Sequence, residues 1–175
     1  MGDLIDTYLA DPAIYDEMLT SAGHVRSHYQ AVSEAISQLH ASELAERAER
    51  LTNAFRDQGV TFDLDGEERP FPLDLMPRIF TPEEWQLVEA GVIQRVRALE
   101  AFLDDIYDSQ RILDADVIPR RIVTSSSQYL RPAHGISPPN GVRVHVAGID
   151  LVRDEAGELR VLEDNLRCPS GVSYV

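Results

Sequence analysis

The chain is poor in cysteine, in basic side chains and in long apolar runs, and each shortage excludes something. A single cysteine, Cys168, in 175 residues rules out an internal disulfide framework and fits a reducing compartment. Basic residues number 16 against 30 acidic ones, a net charge of −14. They gather into no patch, which argues against a nucleic-acid partner and against an anionic membrane surface. No apolar run reaches the length of a membrane span, and an N-terminus carrying Asp3 and Asp6 lacks the basic and apolar regions of a signal peptide. The expectation is a cytoplasmic protein. Neither GxxxxGK[ST] nor GxGxxG is present, so no glycine-rich phosphate cradle is encoded in these residues. An apolar fraction of 43% is nonetheless ordinary, so a packed core is expected.

What is there divides into three stretches: an irregular segment over 1–26, a helical and mixed α/β region over 27–141, and a β-rich end over 142–175. From Ser27 to Arg56 apolar residues recur at helical spacing, with Ile36, Leu44, Leu51 and Phe55 on one face and Glu and Arg opposite. Gly59 is the expected stop. Val60 to Phe62 is a short strand candidate, followed by an Asp65-Gly66 turn, and the proline-rich stretch 69–80 is expected to be extended. Thr81, Pro82 and Glu84 form a capping box that opens a helix running to about Tyr107. Its buried stripe is read as Trp85, Val88, Val92, Val96, Leu99, Leu103 and Ile106. Arg121 to Thr124 reads as a strand. The fold class is therefore α/β, mixed α+β in detail, ending in a β-hairpin.

That hairpin carries the chemistry. Val142 to Arg153 and Glu158 to Asp164 are β-rich, with Asp154 to Gly157 between them. An even-numbered loop sets Asp150 opposite Val161 and places Asp150, Glu163 and Asn165 on one face, because side chains alternate along a strand. A three-residue loop throws Asp150 to the other side. With the even loop, the opposite face carries Ile149, Leu151 and Leu162, with Leu159 or its neighbours, as core. Two carboxylates and an amide are hard oxygen ligands, the type that Mg²⁺ selects. The same residues also read as solvent-facing strand positions, and the pattern alone leaves both open.

At these residues the sequence resembles the ATP-grasp superfamily, and more closely its circularly permuted members related to glutathionylspermidine synthase. The resemblance rests on His145 to Asp154 and on Val161 to Tyr174. It extends to Tyr15-Asp16-Glu17-Met18, Gly59 to Phe62, Pro77-Arg78-Ile79, Gln94-Arg95 and Phe102 to Tyr107. It implies a partial ATP-grasp fold in a ligase that holds ATP between two lobes. Such an enzyme activates a carboxylate as an acyl phosphate and passes it to an amine. By analogy Asp150, Glu163 and Asn165 would hold Mg²⁺, and Arg167 would serve as the catalytic cation on the transferred phosphoryl. Ser170, Gly171 and Arg78 would contact substrate or phosphate. Where related ligases carry an arginine two positions before the first metal aspartate, this chain has Gly148. The permutation places the nucleotide-gripping lysines after the motif, so the expectation is the N-terminal part of a larger enzyme, inactive without a C-terminal ATP-grasp region. A non-catalytic binding or assembly module, or a phosphotransferase using the same metal site, are the alternatives. Other signals point elsewhere: His24 and His28 lack the glutamate of HExxH, Asp63 to Glu68 is a turn rather than a calcium loop, Ser125 to Ser127 lacks GxSxG, and Cys168 has no partner histidine.

Overall fold

The computed structural model describes residues 8, 11, 13–64, 66–169 and 171–172. They form a mixed helix-and-strand protein with two small antiparallel sheets. The chain divides into two compact units, one of Met1–Trp85, Leu151–Arg160 and Ser170–Val175, the other of Gln86–Asp150 and Val161–Pro169. None of the described helices is long and apolar enough to cross a membrane.

In the first unit, the single helix expected over 27–56 is interrupted. A 3₁₀ turn at Ser27–Tyr29 leads into α1 (Gln30–Ser37), and α2 (Ala41–Asp57) starts afresh. His40 is extended (ψ 155°) and the Glu43 carboxylate accepts its N–H at 2.7 Å, so a local cap wins over continuing the apolar periodicity. Gly59 ends α2 as expected: at φ +70° it lets its N–H reach Arg56 and that of Val60 reach Phe55 (3.0 and 2.9 Å). β1 (Thr61–Leu64) and β2 (Glu67–Pro70) then pair, with Leu64 opposite Glu67; Asp65 of the expected turn lies outside the described residues. Leu19, Tyr29 and Ile36 are the buried apolar residues here.

The second unit is built on α3 (Pro82–Tyr107), which begins in the first unit at the expected cap. Glu84 takes the Thr81 N–H at 3.0 Å while Thr81 Oγ1 accepts the Glu84 N–H at 3.3 Å. Val88, Val92, Val96, Leu99 and Leu103 are half-buried and Ile106 is buried. Trp85 departs from the stripe. It sits in the first turn, 55% exposed, its ring edge-on to Phe80. Ile106, Leu113 and Val123 form the core, with Phe102, Tyr107 and Tyr129 against it. Arg121 to Thr124 is not a strand. After α4 (Arg111–Asp114) it lies in α5 (Arg120–Thr124), where it has no neighbouring strand to pair with and Val123 turns into the core.

The strand expected from Val142 begins only at β3 (Gly148–Arg153). The Glu100 carboxylate captures the backbone N–H groups of Arg143 and Val144 (Val144 at 2.6 Å), which removes them from any ladder. β4 (Leu159–Asn165) completes the second sheet.

Candidate metal centre

The loop between β3 and β4 has three residues, not the even number the metal reading requires. The Asp154 N–H donates to the Glu158 carbonyl (2.9 Å), the Gly157 N–H donates to the Asp154 carbonyl (2.9 Å), and Gly157 is at φ +83°. This is a tight turn followed by a glycine bulge. Asp154 therefore stands opposite Glu158, and an unbroken ladder would set Asp150 opposite Leu162. The Asp154 side chain locks the turn by accepting the N–H groups of Ala156 and Glu158. The Arg160 guanidinium beside it, more than those N–H groups, holds its carboxyl below the ordinary range.

The ladder is not unbroken. At the open end, a Cβ placed on Gly148 would lie 3.6 Å from the Asn165 Cβ, so these two positions face each other on one side of the sheet. Six steps separate Gly148 from Asp154 on β3, but seven separate Glu158 from Asn165 on β4. Between the turn and this contact β4 therefore runs one residue longer than β3. Arg160 to Glu163 are all exposed, with Leu162 at 72% rather than in the core. Glu163 and Asn165, two apart on β4, lie on one side of that strand.

Asp164 confirms the sidedness. It points the other way, to α3, where Arg95 grips it through Nε–Oδ1 and Nη2–Oδ2, both 2.6 Å. The Arg95 fork holds the Asp164 carboxyl below its usual range, and Asp164 pushes the guanidinium up in return. Arg95 was legible as part of a motif, but its partner was not. Asp150, Glu163 and Asn165, by contrast, make no side-chain hydrogen bond or ion pair among the described residues. Two carboxylates and an amide oxygen are donors of the kind a hard divalent cation takes. No group of three or more His, Cys, Asp or Glu side chains is assembled among the described residues, so the third donor of any such set is an amide.

Gly148 has a local cause. A side chain there would begin 2.6 Å from the Pro169 Cβ, so the arginine that related ligases carry at this place does not fit beneath the Cys168-Pro169 segment. Arg167 is exposed and without an ion pair among the described residues, and Cys168 following it is at φ +50°. Gly171 is exposed with open space around it, and Ser170 lies outside the described residues. Arg78 belongs to the first unit, where its guanidinium reaches Glu17 at 3.1 Å.

The first unit holds the closed end of the hairpin by a second cluster, which sequence reasoning missed. Arg153, its side chain 9% exposed, bonds Glu17 (3.1 Å), Glu84 (2.9 Å) and the Gly157 carbonyl (2.8 Å). Tyr15 lies against Gly157, where a Cβ would come within 2.4 Å of its ring. The alternation of Arg153 with Leu151 was the available signal.

The family model for circularly permuted ATP-grasp type 2 matches residues 77–175. An uncharacterized protein of Mycobacterium tuberculosis is 58% identical over 161 residues, covering 92% of this chain and 29% of the relative. An uncharacterized protein of Synechocystis is 45% identical, covering 94% and 35%. A protein of Frankia casuarinae named "Putative glutamate--cysteine ligase 2-2" is 40% identical, covering 98% and 20%. The chain thus spans about a third or less of the length of these relatives.

Proposed function

Because this chain belongs to the circularly permuted ATP-grasp type 2 family, we propose that it supplies the metal-binding strand pair of an ATP- and Mg²⁺-dependent carboxylate–amine ligase related to glutathionylspermidine synthase. The observation that supports this reading is the approach of Gly148 to Asn165 at the open end of the hairpin, beside Asp150 and Glu163, none of these three polar side chains having a partner among the described residues. The ligase name of the Frankia relative supports the reaction class.

Mg²⁺ held by these three residues would neutralise charge on the β- and γ-phosphates of ATP while phosphate passes to the substrate carboxylate. Around it the chain's own groups position and shield. The Arg95–Asp164 fork fixes the strand between Glu163 and Asn165, so both ligands are presented from a rigid element. Arg167, with no ion-pair partner among the described residues, would meet the anionic oxygens of the acyl phosphate, and the backbone of Ser170 and Gly171 would complete that anion site. All 16 basic residues are arginines, so lysines that grip the nucleotide come from a region C-terminal to this motif, as the greater length of the relatives supports. The same dependence makes residues 1–175 alone inactive, and a single-cysteine ATP-using enzyme suits the cytoplasm.

The test measures Mn²⁺ binding by electron paramagnetic resonance on the full chain, then ATP turnover in the protein joined to that region. Asp150→Asn and Glu163→Gln should each abolish the high-affinity Mn²⁺ signal and lower kcat by about 100-fold or more. Unchanged Mn²⁺ affinity in both variants sinks the metal assignment. Retained metal without ATP turnover leaves a binding module in place of a ligase.

A further inference from the structure

Within the first unit lies a cavity of about 410 Å³, inside the roughly 300–1,000 Å³ range of small-molecule sites. Its wall is largely apolar, with Met18, Ile36, Leu44 and Met76 alongside tyrosines. Four charged side chains line it among the described residues, and their commitments differ. Asp16 accepts the N–H groups of Met18 and Leu19 on Oδ1 and the Tyr8 hydroxyl on Oδ2. Glu17 is neutralised from behind by buried Arg153. Arg78 is the one cation among the described lining residues. Its side chain is 68% exposed and makes a single bond, through Nη1 to Glu17. Releasing Glu17 would leave that carboxylate still paired, so the Arg78 fork is available to another carboxylate. Asp74, four residues away on the same wall, engages only its Oδ1, with the Met76 N–H. Tyr29 is 2% exposed and its hydroxyl accepts the Ile79 N–H, while its own proton has no acceptor among the described residues. Burial raises its pKa, so it remains a donor at neutral pH.

A simple anion would meet Asp74 and Asp16, and a simple cation would face Arg78. A molecule carrying both charges satisfies both walls and can lay an apolar body against the rest. We infer that this cavity binds a small zwitterion, an α-amino acid with an apolar side chain, its carboxylate on Arg78 and its ammonium group facing Asp74. The inference stands apart from the ligase reading: it needs no ATP and no metal.

The experiment is isothermal titration of the full chain with L-leucine, L-methionine and L-phenylalanine, and with 4-methylpentanoate and 3-methylbutylamine as single-charge counterparts of leucine. At least one amino acid should bind saturably, and both counterparts about tenfold or more weakly. Arg78→Gln and Asp74→Asn, with unchanged far-ultraviolet circular dichroism, should each weaken binding by a similar factor. Both residues are exposed, so these variants are expected to fold. Binding of either counterpart as tight as the amino acid, no effect of Arg78→Gln, or no saturable binding by any of the three overturns the inference. None of these outcomes bears on Mn²⁺ binding at Asp150 and Glu163, so the metal assignment and this inference fail separately.

Discussion

Arg153 shows what one side chain contributes. Its guanidinium serves two carboxylates and a carbonyl at the closed end of the hairpin, and Tyr15 and Phe80 flank it at 5.3 and 6.0 Å from their ring centroids. Removing it would leave Glu84 without an ion pair and Glu17 with only the exposed Arg78, and a half-buried charge that loses its buried partner costs more than the pair gains. Arg153→Met should lower unfolding free energy by about 3 kcal/mol, read from urea denaturation. A loss below 0.5 kcal/mol would make the cluster decorative. At this scale the sequence was generous with the site and silent on its supports. Asp150, Glu163 and Asn165 stood out because oxygen ligands in a β-rich run are chemically conspicuous. The partners of Arg153 and Arg95 lie 136 (Glu17) and 69 (Asp164) residues away, and no local pattern encodes such a pairing.

Among the elements, those whose signals are local were legible. The Thr81–Glu84 box and the Gly59 stop were read correctly because capping is decided within a few residues. The misreadings at Arg121–Thr124 and Val142–Ala147 came from β-branched composition. Whether such a run becomes a strand depends on a partner for its backbone groups, and here Glu100 or a helical turn supplied one first. The hairpin loop failed as a premise because its length is set by the Asp154 turn contacts and the left-handed Gly157. The α3 cap also carries a pH signature. The Thr81 N–H, and next to it Arg153, hold the Glu84 carboxyl below its ordinary 4.5. A depressed carboxyl contributes stability that is present above 4.5 and is lost as pH falls through its lowered folded value. Stability should therefore be flat near neutrality and fall in acid, and Glu84→Gln should make that acid limb shallower in urea titrations at stepped pH. Thr81→Ala should cost about 1 kcal/mol at neutral pH. An acid limb identical in Glu84→Gln and the parent would remove Glu84 from the account.

For the whole molecule, the decisive fact is that Leu151–Arg160 belongs to the first unit although it lies far along the chain. A chain ending at residue 141 would lack Arg153 and Gly157, and with them the seat of Tyr15 and the counter-ion of Glu17. Amide exchange at Thr20 and Arg26, whose N–H groups donate to the His24 and Met18 carbonyls across a small turn, should then accelerate by about 100-fold relative to the full chain. Unaltered protection would show that the first unit is self-sufficient. The polypeptide changes unit after Trp85, Asp150, Arg160 and Pro169. Neither unit, then, corresponds to one uninterrupted length of coding sequence. Gene fusion or recombination can transplant the pair together but cannot trade one unit for a homologue with a single crossover. New specificity in such a protein has to arise by substitution in place, which makes the cavity wall, rather than the hairpin that would hold the metal, the surface on which it can be varied.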